Sequence, residues 1–430
     1  MRINQLLKSS LLKNAGIYTI TNFINALIPF FLLPILTRHM TPKEYGIVSM
    51  FTVLISFVTP FIGVSINSAI ARAYYDNEKI DFKKYVANSL YILLVSSFVV
   101  SIIFFIFSDK ISSISLFPQK FLGIVIVYSF AQFIVRVILT LWQVQVKPIK
   151  YGIFQISQTA FNTLLSVMLV VSLNMSWYGR VFGQTISYII FAVIAFVILY
   201  RNGFVFNKYS KEYITHALGF GIPLIPHAIG GVLMTMTDRI FITNMVGVDA
   251  TGIYSVGYQI GVIISLLSES FNKAYVPWLF EQLKRNFSKK KVQIVWLTYA
   301  YFIIILLIAI VLGLVSPWFL NKFVGKEFSS SSIYVIWIAL GYAFKGMYLM
   351  VTNYIFYATK TSILAWVTFV AAVLNVILNY IFIKEFGAIG AAQATSIIYL
   401  IKFIATWVLS AKVYSMPWNI FKTRDSIEKL

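Results

Sequence analysis

The sequence predicts an all-α, polytopic membrane protein with 12 transmembrane helices, built as two parallel six-helix repeats around a central cavity. Composition, a series of long apolar stretches and an internal repeat each support this fold class. Hydrophobic residues make up 59% of the 430 positions and charged residues only 11%. A soluble protein of this length is far less apolar, so we expect the chain to lie in a bilayer.

Twelve stretches are long enough to cross a bilayer, because a helix needs roughly 20 apolar residues to span about 30 Å of hydrocarbon. Their predicted limits are 15–37, 45–71, 86–107, 121–146, 152–173, 177–200, 213–237, 250–272, 292–316, 333–358, 361–383 and 386–411. Pro223 and Pro226 interrupt the seventh stretch, and a segment with polar ends, Asp238 to Asp249, separates it from the eighth. This pattern places Asp238 and Arg239 at the outer end of span seven.

Lysine and arginine residues are distributed unequally between the two ends of these spans. The chain carries 35 Lys and Arg against 14 Asp and Glu, for a net charge of +21. Of these basic residues, 23 lie on the side of the N-terminus, nine lie on the other side and three fall inside spans. The positive-inside rule therefore predicts that both termini are cytoplasmic. The basic excess fits this topology and does not indicate a nucleic-acid partner.

Short sequence matches repeat along the chain at a nearly constant offset. Gly46-Ile47-Val48-Ser49 is matched by Gly252-Ile253-Tyr254-Ser255, at an offset of 206, and the pair Lys147 and Asn162 by Lys360 and Asn375, at 213. Such an offset covers six spans, an even number, so the two halves have the same orientation and the substrate is expected between them.

The predicted organisation follows from the spans and the repeat. It comprises a basic amphipathic lead-in (1–14), an N-terminal six-helix bundle (15–200), a cytoplasmic connector (201–212), a C-terminal six-helix bundle (213–411) and a cytoplasmic tail (412–430). The lead-in could lie on the cytoplasmic leaflet or serve only as a basic segment before span one.

Two cations fall deep inside predicted spans. Arg136 lies in span four and Lys345 near the middle of span ten, where an unpaired cation costs roughly 2.5 to 3.5 kcal/mol on insertion scales. We interpret them, with Arg72 at the end of span two, as candidate substrate-binding cations. The alternative for Arg136 is snorkelling, since it lies about ten residues, roughly 15 Å, from the cytoplasmic end of its span.

Further polar residues share helix faces. Glu269 and Lys273 lie one turn apart at the cytoplasmic end of span eight and could line a vestibule, or could simply pair with each other. Asn22 and Asn25 share a face of span one, where asparagine can bind substrate or join helices. His227 can relay protons or satisfy an interhelical hydrogen bond.

Proline and charged residues suggest moving elements in two corresponding spans. The gating candidates are Pro29 and Pro34 in span one, and Pro223, Pro226, Asp238 and Arg239 in span seven. The candidates for coupling to a proton or sodium gradient are His227, Glu269 and Asp238.

The sequence lacks the motifs of common enzymes. The chain has no cysteine and only three histidines, and it contains neither a P-loop nor a Gly-x-Ser-x-Gly elbow. We therefore expect no enzyme, no metal and no cofactor.

Several runs resemble one known family. They are Asn14-Ala15-Gly16 with Pro29 and Pro34, the connector from Leu36-Thr37-Arg38 to Glu44-Tyr45-Gly46, and the run from Asp238-Arg239 to Gly252-Ile253-Tyr254-Ser255. In these the chain resembles the polysaccharide-transporter branch of the multidrug/oligosaccharidyl-lipid/polysaccharide (MOP) exporters, the Wzx-type flippases of O-antigen and capsule repeat units.

The resemblance implies a flippase of the cytoplasmic (inner) membrane that moves undecaprenyl-pyrophosphate-linked oligosaccharide by alternating access. It also implies contact with membrane lipids, and a polysaccharide polymerase and a chain-length regulator as candidate partners.

Three other functions stay open at this point. A cation-coupled multidrug antiporter of the same superfamily should carry buried acids, and only Glu269 and Asp238 come near the membrane. A repeat-unit polymerase would carry a large outer loop, whereas no predicted outer loop here exceeds about 16 residues. A purely structural membrane partner would not explain two deep cations.

Overall fold

The computed structural model describes residues 10–76, 80–205, 209–285, 288–360 and 362–419. These residues form helices joined by short turns, and no strand occurs among them, as the sequence predicts. Most of the predicted lead-in (1–14) and the end of the predicted tail (412–430) lie outside the described residues.

The chain divides into two units, Met1–Val232 and Leu233–Leu430. The first unit contains helices α1 (Ser10–His39), α2 (Pro42–Val58), α3 (Ile66–Ala73), α4 (Phe82–Ile106), α5 (Ser108–Ser115), α6 (Leu122–Val144), α7 (Pro148–Val167), α8 (Ser176–Arg201) and α9 (Lys211–Gly221). Helix α10 (Leu224–Met245) contains the boundary, and α11 (Val248–Gly261), α12 (Ile263–Arg285), α13 (Ser288–Phe323), α14 (Ser332–Tyr357), α15 (Ser362–Phe386) and α16 (Ala388–Val413) follow. The predicted bundle limits, 15–200 and 213–411, stay a prediction.

Eleven helical segments in the described part of the chain are long and apolar enough to cross a membrane. They correspond to the predicted spans except the second, which is broken. Span seven joins α9 and α10 in one segment, Lys211–Met245, and span eight joins α11 and α12 in Val248–Lys284. The chain is therefore a polytopic, all-α membrane protein.

The predicted span 45–71 is not one helix but two. Helix α2 begins with a capping box, in which Thr41 Oγ1 accepts from the Glu44 N–H (3.4 Å) and the Glu44 carboxylate accepts from the Thr41 N–H (2.8 Å). It ends at Val58, and Gly63, Val64 and Ser65 then adopt φ of 74°, 50° and 53°. Consecutive left-handed residues cannot continue a right-handed helix, so α3 starts anew at Ile66.

Contacts with neighbouring helices hold this break in place. The Gly63 N–H donates to Ser96 Oγ on α4 (2.9 Å), and a Cβ at Gly63 would lie 2.2 Å from the Phe133 ring on α6. Glycine is therefore required both for its φ and for the close approach. Helix α9 packs against the same turn, because a Cβ at Gly221 would lie 2.1 Å from the Val64 carbonyl oxygen.

The predicted hinge prolines lie in two different settings. Pro29 and Pro34 lie inside α1, which is continuous from Ser10 to His39. Pro223 lies between α9 and α10, and Pro226 lies in the first turn of α10. The sequence places a backbone interruption correctly in span seven, whereas span one keeps its helix through both prolines.

The prediction that Asp238 and Arg239 lie at the end of span seven is wrong. Helix α10 continues past them to Met245, and both side chains are buried, with 4% and 7% exposed. Because Arg239 is buried inside α10, it does not count among the nine basic residues of the outer side, which leaves eight against 23 on the side of the N-terminus.

The orientation can be tested with single cysteines, since the natural chain has none. We expect a membrane-impermeant maleimide added outside to label Ser113→Cys and Ser330→Cys, and not Asn202→Cys or Lys284→Cys. All four positions are exposed, and each unit contributes one to either side. Labelling of all four after permeabilisation is the control, and external labelling of Asn202→Cys or Lys284→Cys would reverse the orientation.

A second prediction concerns the packing of α11, where Gly257 and Gly261 lie one turn apart. A Cβ would lie 2.4 Å from the Ser331 carbonyl oxygen at Gly257 and 2.7 Å from the Ile338 side chain at Gly261. Overpacking of this kind costs about 1 to 3 kcal/mol, so Gly257→Ala should lower the thermal unfolding temperature of the purified protein. Gly123→Ala on α6 is the control, because no atom lies within 4 Å of its Cβ position. Equal unfolding temperatures would contradict the close packing.

Candidate functional site

Two adjoining cavities of about 310 and 370 Å³ lie in the first unit. Gln132 and Arg136 line both of them. The smaller cavity is lined further by Asn67, Val135, Leu139, Thr140, Gln143, Tyr151, Gln155, Gln158, Thr159 and Tyr188. The larger is lined further by Thr52, Ile55, Ser56, Thr59, Pro60, Tyr128, Gln184, Ala228 and Val232. Amide and hydroxyl groups dominate the lining, and none of these described residues is Asp or Glu.

Arg136 is the charged residue shared by the two cavities. It lies in the interior of α6, eight residues before the helix ends at Val144, and its side chain is exposed to the cavities. Its guanidinium makes no hydrogen bond or ion pair within the described part of the chain. Gln132 lies one turn earlier, and its Nε2 donates to Tyr128 Oη at the limit of hydrogen bonding (3.5 Å). The structure thus places a cation without a carboxylate in a polar cavity, as the sequence position suggests.

Four buried amide atoms around these cavities have no hydrogen-bond partner among the described residues: Asn67 Oδ1, Gln155 Oε1, Gln158 Nε2 and Gln184 Nε2. Gln158 and Gln184 are almost fully buried, with 5% and 7% exposed. A buried polar atom without a partner is costly, so these amides are expected to bind water or a ligand.

Sequence reasoning missed these amide residues, although a signal was present. Gln132, Arg136, Thr140 and Gln143 follow helical spacing along α6, and Gln155, Gln158 and Thr159 do so along α7. Polar residues recurring at i, i+3 and i+4 inside an apolar span predict a polar helix face. The charge of Arg136 drew attention, whereas the neutral amides around it did not.

Another arginine of the first unit, Arg180, is satisfied by a neighbouring helix. Its Nη1 donates to Asn162 Oδ1 (3.0 Å) and Ser166 Oγ (2.8 Å), both on α7. Close contact of α8 with α7 at Gly183 permits this, because a Cβ there would lie 2.8 Å from Ser166 Oγ. Arg180 therefore joins two helices and lies outside the residues that line the cavities.

In the second unit, Lys345 forms an ion pair with Glu269. Lys345 Nζ on α14 lies 2.8 Å from Glu269 Oε1 and 3.0 Å from Ser265 Oγ, both on α12, and Ser265 also donates to the carboxylate (3.0 Å). Lys273, exposed one turn further along α12, also interacts electrostatically with Glu269, and the predicted vestibule stays a prediction. The two deep cations therefore differ, because Lys345 is neutralised and Arg136 is not.

Asp238 and Arg239 belong to a buried cluster of tyrosines. Arg239 Nη1 lies 3.1 Å from Asp238 Oδ1, and the guanidinium lies 4.1 Å from the centre of the Tyr258 ring. Tyr254 donates to the other Asp238 oxygen, and the hydroxyls of Tyr258 and Tyr342 bond each other. This adjacent pair is satisfied inside the second unit and supports the packing of α10, α11 and α14.

The remaining predicted residues do not line the two cavities. Arg72 pairs with Asp76 (3.2 Å) on an exposed surface at the end of α3. Asn22 is half-buried, and both side-chain atoms of Asn25 are buried without a partner in the described chain. His227 is exposed on α10.

The chain is similar in sequence to known proteins. The model of a family described as "Polysaccharide biosynthesis protein" matches residues 11–283. A membrane protein of unknown role from Haemophilus influenzae is 27% identical over 91% of this chain and 92% of its own. A protein from Shigella flexneri assigned as an O-antigen transporter is 21% identical over 90% of this chain and 94% of its own.

Two solved transporter structures share the fold. The lipid II flippase MurJ, in an inward closed conformation, has a TM-score of 0.76 at 15% identity and covers 92% of this chain and 87% of its own. An inward-facing multidrug resistance transporter of the MATE family has a TM-score of 0.68 at 15% identity, over 92% and 94%. The chain therefore belongs to the polysaccharide biosynthesis protein family, and it shares the fold of these two transporters.

Proposed function

We propose that this protein is a flippase that moves a lipid-pyrophosphate-linked oligosaccharide across the cytoplasmic membrane for surface polysaccharide synthesis. The observation that carries the proposal is Arg136, a cation deep in a membrane helix that faces a polar cavity without a carboxylate. A lipid pyrophosphate is a polyanion, and a guanidinium binds phosphate oxygens with paired, charge-assisted hydrogen bonds. The amides around Arg136 suit the attached sugars.

A cation-coupled multidrug antiporter is the alternative with the same fold. The MATE and MurJ structures are both about 15% identical, so they bear on the fold and do not separate the two functions. A carboxylate in the site would offset the charge of a cationic drug. The described residues that line the cavities of the first unit offer none, and this favours an anionic substrate.

The proposed location is the inner membrane, with both termini in the cytoplasm. The excess of lysine and arginine on the side of the N-terminus supports it. In this setting the direct partners are the lipid-linked oligosaccharide and membrane lipids, with a polymerase and a chain-length regulator acting next. Neither catalysis nor a cofactor is part of the proposal.

The pair formed by Lys345 and Glu269 offers a means of coupling transport to protons. While Glu269 is ionised, Lys345 is neutralised and cannot bind a phosphate strongly. Protonation of Glu269 removes the ion pair and leaves Lys345 free to bind the anionic headgroup. We propose that this exchange, rather than a sodium site, links the proton gradient to substrate binding in the second unit.

The proposed role of the cations predicts a graded loss of transport. Losing one charge-assisted contact costs about 1.5 to 3 kcal/mol, so Arg136→Ala should lower export about 10- to 100-fold and Arg136→Lys less. Lys345→Ala should also lower export. The measurement is surface polysaccharide, together with accumulated lipid-linked oligosaccharide, in cells whose only copy carries the substitution.

Arg201→Ala is the matched control, because Arg201 lies exposed at the end of α8, away from the cavities. Membrane abundance of each variant is measured in parallel. Wild-type export by Arg136→Ala, Lys345→Ala and the double variant would rule out a role for the cations.

The coupling proposal predicts a change in gradient dependence. Lipid-linked oligosaccharide is extracted from cells in which a substitution blocks export. It is then supplied to vesicles containing the purified protein. Collapsing the pH gradient should reduce wild-type transport strongly and Glu269→Gln transport little, because the amide cannot neutralise Lys345 in either condition. Glu281→Gln, exposed on the same helix, should behave as the wild type. If Glu269→Gln keeps the wild-type response to the pH gradient, or if transport depends only on a sodium gradient, Glu269 does not couple protons to transport.

A further inference from the structure

The four unpartnered amide atoms of the first unit contain information about the ligand. Two are acceptors, Asn67 Oδ1 and Gln155 Oε1, and two are donors, Gln158 Nε2 and Gln184 Nε2. An anion alone would use only donors, and a cation alone would use only acceptors. A hydroxyl group both donates and accepts, so a polyhydroxylated ligand satisfies such a mixed set.

These four atoms lie around one cation, Arg136. Asn67, Gln155 and Gln158 line the smaller cavity and Gln184 lines the larger, and Arg136 lines both. The smaller cavity also exposes the rings of Tyr151 and Tyr188, which give the apolar face of a sugar a surface to pack on. Volumes of about 310 and 370 Å³ lie in the lower part of the range for small-molecule sites.

We propose that the paired cavities of the first unit form a carbohydrate subsite, which binds a neutral sugar ring directly attached to an oxyanion held by Arg136. The subsite rests on the proposed function for its place in a transport cycle, but its chemistry is independent of the lipid. The oxyanion is either the phosphate of the carrier or the carboxylate of an acidic sugar. Gln158 and Gln184 are then the residues that distinguish a sugar phosphate from phosphate alone.

The test is a binding competition on the full-length protein in lipid nanodiscs. Maltoside and glucoside detergents are avoided, because their headgroups would compete for a sugar site. Radiolabelled hexose 1-phosphates of glucose, galactose, mannose and N-acetylglucosamine are the probes. Unlabelled inorganic phosphate, glucuronate and methyl glucoside are the competitors. Tighter binding of glucuronate than of the hexose phosphates identifies the carboxylate of an acidic sugar as the oxyanion, and tighter binding of a hexose phosphate identifies the phosphate of the carrier.

We expect at least one hexose 1-phosphate to bind about tenfold or more tightly than inorganic phosphate, because hydroxyl hydrogen bonds add to the Arg136 contact. Gln158→Leu and Gln184→Leu should each reduce that preference about three- to tenfold and leave phosphate affinity unchanged. Arg136→Gln should weaken both ligands. Gln393→Leu on α16, outside both cavities, should change neither.

Equal affinity for phosphate and every hexose 1-phosphate would overturn the subsite and leave cavities that hold only water. Retention of the full preference by both leucine variants would overturn it too. If Gln158→Leu fails to fold, Gln155→Leu at a half-buried position replaces it. If the protein prefers sugar phosphates but export does not require it, the subsite stands and the proposed function fails. If export requires the protein but it shows no sugar preference, the subsite fails and the proposed function stands.

Discussion

Every polar group inside a bilayer must find its partner within the protein, and this constraint organises the structure. It forces the backbone into helices, and it explains how charged side chains deep in the chain are accommodated. Arg180 bonds Asn162 and Ser166, Arg239 bonds Asp238, and Lys345 bonds Glu269. Against this background a cluster of polar atoms left without partners is informative, and in the first unit such a cluster surrounds Arg136.

The two units treat their deep cations differently although their sequences repeat. In the second unit Glu269 neutralises Lys345, whereas the cavities of the first unit present Arg136 without a carboxylate among the described lining residues. The repeated architecture therefore does not impose equal roles. A free cation is suited to holding an anionic group, and a paired cation is suited to releasing or capturing one when its partner is protonated.

The sequence was sufficient to predict the all-helical membrane fold, because span length and hydropathy depend on local composition alone. It was not sufficient for Asp238 and Arg239, which look like a polar loop until Tyr254 and Tyr258 are seen to surround them. Position alone was enough to single out Arg136, which lines both cavities, but the partner of Lys345 lies 76 residues away and was not predicted. The amides of α6 and α7 were overlooked because a neutral side chain gives a weaker signal than a charge.

The broken helices lead to the cavities by an independent argument. Non-helical backbone at membrane depth is tolerated where it is buried in protein or lines a cavity. The turn between α2 and α3 meets this condition, because Thr59 and Pro60 line one cavity and Asn67, just after the turn, lines the other. In the second unit the corresponding interruption lies between α11 and α12, and Glu269 follows it by two turns. In the first unit the break therefore brings Thr59, Pro60 and Asn67 to the cavities, where they meet the polar residues that α6 and α7 contribute.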